Sequence, residues 1–198
     1  DYPVYYMIHK KPKSHGLSDD DYTIPDGTRL LIVPDAGTND CKKCNELIDD
    51  GFDIIILDHH LQDSLGNQAI IVNNQISNKY SNKDFCGAGV TYEFLRALDD
   101  YYWNDFAENF IDLNAFGNIS DVMDLRNVST RYYVNRGLEN INNKALDAMI
   151  QAQSYSMHDE VNIHNVSWYL TPIFNAMIRI GTFEEREMLF RAFIDDYE

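Results

Sequence analysis

The chain has 198 residues, 44% hydrophobic and 24% charged, enough for one domain with a substantial core and incompatible with wholesale disorder. Its formal net charge of −16 repels a polyanion such as nucleic acid unless metal ions or a basic partner domain neutralise part of it; a divalent cation among carboxylates reverses the local field. No apolar run approaches the roughly 20 residues of a membrane helix, and the amino end lacks a basic-then-apolar leader, so a cytoplasmic protein without a membrane contact is the expectation.

Four candidate strands fall in the first 75 residues: Val4–Ile8, Arg29–Val33, Asp53–Leu57 and Ala69–Val72. Between the second and third lies "TNDCKKCNELIDDG". Thr38 or Asn39 is placed to cap a helix there, Cys44, Leu47 and Ile48 give it an apolar face, and Gly51 ends it. A strand, helix, strand unit of this kind predicts parallel neighbours joined by a right-handed crossover. Three cysteines without framework spacing argue against a disulfide scaffold. Cys41 and Cys44 form a lone C-x-x-C with no second pair to close a zinc site, so both are expected to be helical thiols.

After residue 85 the pattern turns helical. "GAGVTYEFLRALDDYYW" spaces Val90, Phe94, Leu98 and Tyr101 or Tyr102 by three to four. "NDFAENFIDLNAF" does the same with Phe106, Phe110, Leu113 and Phe116, and these apolar positions are expected in the core. "QSYSMHDEVNIHN", residues 153–165, reads as a loop or frayed helix end. One further helix is expected from Thr171 or Pro172 and another from Thr182 onward. The sequence thus predicts an α/β fold: a parallel, Rossmann-like sheet flanked by helices in residues 1–85 and a helical second part in residues 86–198.

The chemistry is concentrated at two strand ends. "IIILDHHLQD" runs a doubly buried strand into Asp58, His59 and His60, and "LLIVPD" ends in Asp35. One crossover brings Asp35 and both imidazoles to the carboxyl edge of the sheet, where open α/β sheets bind ligands. Alone, Asp35 reads more readily as a helix cap and either histidine as a satisfied core or surface residue. Together they favour a cation of the Mn²⁺, Zn²⁺ or Fe²⁺ type, with Mg²⁺ weaker, because carboxylate oxygen and imidazole nitrogen suit those ions.

"LDHH" with the upstream "VPDAGTND" resembles the third and second motifs of the DHH phosphoesterase superfamily. "CGAGVTYEFLRAL" is similar to the glycine-containing helix start of its RecJ-like branch, "AFGNISDVMDL" to that branch's fourth motif, and "WYLTPIFNAMIRIG" to the segment closing the RecJ catalytic domain. "YYMIHKKPKSHGLS" is similar to the strand and loop after the first motif. The resemblance spans nearly the whole chain. It implies Asp35 as a bridging metal ligand, His59 as a direct ligand, Asp121 as the fourth-motif carboxylate ligand, and Asp58 as a ligand or a group orienting the imidazoles. It implies His60 as a phosphate contact with a catalytic role. Gly87 and Gly89 then offer backbone N–H groups to an anion, although a tight turn alone also explains them. Asn175 and Arg179 lie four apart on one helical face, and the resemblance implies that this face points at the substrate strand. Asp124 falls where relatives have an apolar residue or proline and is read as surface.

Two departures accompany the resemblance. The family's first motif, an aspartate pair D-x-D, is absent, as is the usual partner domain with its glycine-rich, histidine-containing loop. The chain is therefore expected to be a catalytic-domain fragment with an incomplete metal site and little activity by itself. For the intact protein the resemblance implies Mn²⁺- or Mg²⁺-dependent hydrolysis with two ions, acting on single-stranded DNA from a 5′ end, in a repair setting. The alternatives left open are a relative acting on oligoribonucleotides, phosphorylated nucleotides or cyclic dinucleotides, and a binding subunit without turnover. Oligomeric state is not legible.

Overall fold

The computed structural model describes residues 2–11, 14–18 and 22–195. Three parallel strands form the sheet: β1 (Leu30–Pro34), β2 (Asp53–Asp58) and β3 (Ile70–Asn73), in the order β1-β2-β3. The register pairs Val33 with Ile56, Pro34 with Leu57, and Asp58 with Asn73, so the three strands finish along one edge. Helix α1 (Cys41–Asp49) links β1 to β2 and packs Cys44 and Leu47 onto a core with Leu31, Ile54 and Ile56. Its N-cap is Asp40 rather than Thr38 or Asn39, and Gly51, at φ +95°, follows its end as expected. Cys41, Cys44 and Cys86 are free thiols, and burial raises the pKa of Cys44 and pushes Cys86 up to about 12.

Val4–Ile8 is not a strand. Tyr2, Val4 and Tyr5 are exposed, and the segment is held instead by the last helix (Phe183–Phe193), where the ring of Tyr6 lies 4.8 Å from that of Phe190. Arg186 of that helix donates to the carbonyls of His9 (2.9 Å) and Lys10 (2.7 Å). A side chain thus takes main-chain acceptors that a strand would give to a neighbour.

The second part contains α2 (Gly87–Tyr102), a 3₁₀ turn (Ala107–Phe110), α3 (Ile111–Ser120), α4 (Val128–Glu139), α5 (Lys144–Ala152), α6 (Ser154–Met157), α7 (Ile163–Asn165), a π-helical turn (Val166–Leu170), α8 (Thr171–Ile180) and α9 (Phe183–Phe193). Helix α9 begins with a reciprocal capping box between Thr182 and Glu185. The expected helices at α2, α8 and α9 are present, whereas α4 and α5 had no distinct signal. Residues 153–165 are more ordered than expected: Asn165 donates to the carbonyls of Met157 and Glu160, both at 2.9 Å, and Met157 is buried.

The core expectation for the aromatic run fails over half its length. Phe116 and Val90 are buried and Phe94 and Leu113 partly so, but Leu98, Tyr101, Tyr102, Phe106 and Phe110 are exposed. The buried residues of α2 all lie within its first six positions, where the sheet and α3 cover it. Helical spacing shows that a face is apolar, not that anything lies on it.

Candidate metal centre

The strand edge builds the centre. The Asp35 amide donates to the Leu57 carbonyl at 2.8 Å, carrying the β1–β2 ladder one residue beyond β1. Its backbone then turns into the left-handed region, φ +59°, a conformation an aspartate tolerates better than most residues. Gly87 at the start of α2 presses against this turn: a Cβ there would lie 2.5 Å from the Asp35 Cβ and 2.6 Å from its Cα. Only glycine allows α2 to begin so close to the carboxylate.

His59 joins the two halves of the chain. Its Nε2 is 3.2 Å from Asp35 Oδ1 and 3.4 Å from Asp121 Oδ2. Burial disfavours the charged imidazole, but the Asp35 hydrogen bond and the charges of Asp35, Asp121 and Asp58 outweigh it and raise the His59 pKa. Asp121 is the C-cap of α3, and the residue after it, Val122, has φ +57°. That conformation is an outlier for a β-branched side chain and marks a strained turn beside the site. Burial and the neighbouring Asp35 charge raise the Asp121 pKa against the pull of His59 and His60.

Asp58 is buried and fully engaged. Its carboxylate accepts from the amides of Thr38 (3.1 Å), His59 (2.7 Å) and His60 (3.2 Å), and pairs with His60 Nδ1 at 2.7 Å. Burial would raise its pKa, but these donors overcome it and hold the group down to about 2. His60 is thereby fixed through Nδ1, with its ring 4.6 Å from that of His59. Ligand atoms of Asp35, His59 and His60 lie within 4.8 Å of one another. The Asp35 carboxylate and the two imidazoles converge there, with Asp121 beside His59, and form a donor set for a divalent cation, whose charge would relieve the Asp35–Asp121 repulsion. The residues present fit the ion.

One supporting residue escaped the sequence reading. The Asn73 side chain donates to Thr38 Oγ1 and to the His60 carbonyl, both at 2.9 Å, tying β3 to the loops after β1 and β2. The signal was available, since "IIVNN" ends a third strand at the same edge. The other nominated residues lie outside this cluster. Gly89 is buried against Phe85. Asn175 is half-buried and Arg179 exposed on α8; among the described residues neither side chain makes a hydrogen bond or ion pair. The start of α8 is nevertheless tied to the end of α3 by Thr171 Oγ1 and Ser120 Oγ at 3.1 Å. Asp124 pairs with the exposed Arg126 rather than with the cluster.

The centre opens into a cleft of about 480 Å³ lined by residues that include His15, Asn39, Asp40, Asp58, His59 and His60. Its motifs match a known pattern: the family model for the DHH family, N-terminal domain, matches residues 3–118. The chain belongs to the DHH family. It is 40% identical over 191 residues to YorK of Bacillus subtilis (strain 168), provisionally named an SPbeta prophage-derived single-strand DNA-specific exonuclease; the match covers 96% of this chain and 33% of YorK. It is 30% identical over 165 residues to the single-stranded-DNA-specific exonuclease RecJ of B. subtilis, covering 78% of this chain and 20% of RecJ. The structure of RecJ from Thermus thermophilus in complex with Mn²⁺ superposes with a TM-score of 0.74 at 26% identity, over 83% of this chain and 24% of that one. This DHH chain therefore spans a third or less of the length of these relatives. No helix among its described residues is long and apolar enough to cross a membrane.

Proposed function

We propose that the chain carries the metal-binding half of a phosphodiesterase that degrades single-stranded DNA exonucleolytically. The observation that carries this reading is His59 Nε2 held between Asp35 and Asp121 beside an imidazole that Asp58 has already oriented. The names of YorK and RecJ, and the Mn²⁺ complex of a relative with the same fold, support the substrate and the ion. Attack from a 5′ end rests on the sequence resemblance.

Asp35, His59 and Asp121 would hold Mn²⁺ or Mg²⁺, with Asp58 as the orienting carboxylate rather than a ligand, since protein donors occupy both its oxygens. When bound, the ion polarises a phosphate oxygen and favours attack by water near neutral pH. His60, anchored by Nδ1, presents Nε2 to a phosphate oxygen in the cleft. Asn175 and Arg179 would steady the strand beyond it, and the amide of Gly87, at the start of α2 against Asp35, would meet an anion there. These three first ligands suffice for one ion, and a second needs further carboxylates.

The test begins with calorimetry of Mn²⁺ binding to this chain, expected to show one ion or weak binding. It continues with Mn²⁺-dependent hydrolysis by the complete gene product of strands blocked at either end, of duplexes and of dinucleotides. His59→Ala should lose metal. His60→Ala should keep it while turnover falls by about a hundredfold or more. Asp35→Asn should abolish hydrolysis, and an active Asp35→Asn enzyme would overturn the reading. The net charge of −16 favours a second reading, a short-oligonucleotide phosphodiesterase, to which preference for dinucleotides would point.

A further inference from the structure

The loop Ser14–Ser18 lies against the cleft, and its fastening is out of proportion to a surface turn. Leu17 is buried in the same core cluster as Leu31 and Ile56. The Leu17 amide donates to Asp40 Oδ2 at 2.7 Å, Ser18 Oγ donates to Asp40 Oδ1 at 2.6 Å, and Tyr22 donates its hydroxyl to the Leu17 carbonyl at 2.8 Å. Gly16 has φ +74°, and a Cβ there would collide with the Asp40 carboxylate. Asp40 itself occupies the N-cap of α1 yet makes no capping bond with its side chain. A cap of that kind is worth about 1 kcal/mol to a helix. Both oxygens of Asp40 are committed instead to a loop more than twenty residues away in sequence.

What this fastening holds in place is His15. Its ring is exposed, lines the cleft, and stands 6.3 Å from the ring of His60 at an interplanar angle of 45°. Among the described residues no hydrogen bond or ion pair engages the His15 side chain. A locked backbone carrying an uncommitted donor into a cleft is the arrangement of a ligand contact rather than of a structural histidine. The two rings are too far apart for a direct hydrogen bond, and one tetrahedral oxyanion can accept from both. In either protonation state an imidazole offers at least one N–H, so the contact does not depend on the charge of His15.

We propose that His15 is a further substrate-binding residue, donating to a phosphate oxygen across the cleft from His60, and that Asp40 is the positioning residue that sets it there. The proposal rests on the phosphodiesterase reading above. The 480 Å³ of the cleft suits a phosphate with its attached sugar.

The experiment measures Mn²⁺ affinity, then inorganic phosphate affinity in saturating Mn²⁺, for the complete gene product and for His15→Ala, His15→Gln, Asp40→Ala and the His15→Ala/Asp40→Ala double variant. His15→Ala should bind Mn²⁺ like the wild type and phosphate roughly tenfold to a hundredfold more weakly, the usual loss of one hydrogen bond to a charged group. His15→Gln, which keeps an N–H donor, should recover part of that loss. Asp40→Ala should weaken phosphate binding as much as His15→Ala, and the double variant no more than either alone, since both act through one contact. KM for an oligothymidine should rise in step, with melting temperature lowered by Asp40→Ala and not by His15→Ala. Loss of Mn²⁺ in His15→Ala, or wild-type phosphate affinity in that variant, overturns the proposal. Additive losses in the double variant overturn the role of Asp40. If the wild type binds neither Mn²⁺ nor phosphate, the phosphodiesterase reading falls with it; if it binds both and His15→Ala matches it, only the present proposal falls.

Discussion

Residues 30–73 bring Asp35, Asp58, His59 and His60 together through a single strand–helix–strand crossover, whereas the helical part brings Asp121 to His59 from the end of α3. The first group is placed by main-chain ladders. Register carries Pro34 to Leu57 and Asp58 to Asn73, and hydrogen bonds from backbone amides fix the Asp58 carboxylate. Asp121 is placed by side-chain packing: Phe116 and Ile119 seat α3 in its core, Asn118 accepts from the Cys86 amide at the start of α2, and Gly137 lets α4 approach. A hydrogen-bonded edge fixes geometry residue by residue, while a packed helix moves as a body. One half of the centre is therefore local and rigid, and the other depends on distant packing.

The sharpest way to break the comparison is to make the same substitution on each side. Gly87→Ala sets a methyl group into Asp35, and should weaken Mn²⁺ binding by about a hundredfold or more for an overpacking cost of about 1–3 kcal/mol. Gly137→Ala meets the Ile111 carbonyl and the Ala115 methyl across the α3–α4 contact. It should cost a similar stability and weaken Mn²⁺ binding by about tenfold at most, because it shifts α3 as a body and with it only the Asp121 ligand. Calorimetry and urea melts on the pair decide it; equal metal loss in both would erase the distinction.

Next in size is Asp112→Ala. This fully buried carboxylate accepts from the amides of Leu113 (2.8 Å), Asn142 (2.7 Å) and Asn143 (2.7 Å), pinning the α4–α5 connection to α3. Leaving those amides unpaired should cost about 3 kcal/mol in chemical denaturation. A loss below about 1 kcal/mol would mean that helix packing alone seats α3.

A smaller effect belongs to the sheet side and to pH. The folded pKa of Asp58, about 2, is below its unfolded value of 3.8, so its contribution is fully present above pH 4 and disappears as pH falls through about 2. The contribution is on the order of 2 kcal/mol. Asp58→Asn should therefore flatten the stability profile between pH 4 and pH 2, and an unchanged slope there would refute the assignment. The smallest effect is expected where the sequence suggested core: Phe106→Ser and Tyr101→Ser change exposed side chains and should move stability by no more than about 0.5 kcal/mol.

The sequence by itself determined the sheet, its parallel order and the cluster at its edge, because buried strands announce themselves as short apolar runs and the chemistry follows directly after them. Asp35, Asp58, His59 and His60 were legible for that reason, and Asp121 only through its motif. Tertiary structure decided the rest. It denied Val4–Ile8 a place in the sheet and laid the segment along α9 instead, with Tyr6 against Phe190. It left Tyr101, Tyr102, Phe106 and Phe110 in solvent. It also put Asp40 rather than Thr38 or Asn39 at the N-cap of α1 and gave its carboxylate to the Ser14–Ser18 loop. Periodicity records which face of an element is apolar and spacing records what a loop can reach; which partner arrives there is settled only when distant segments pack.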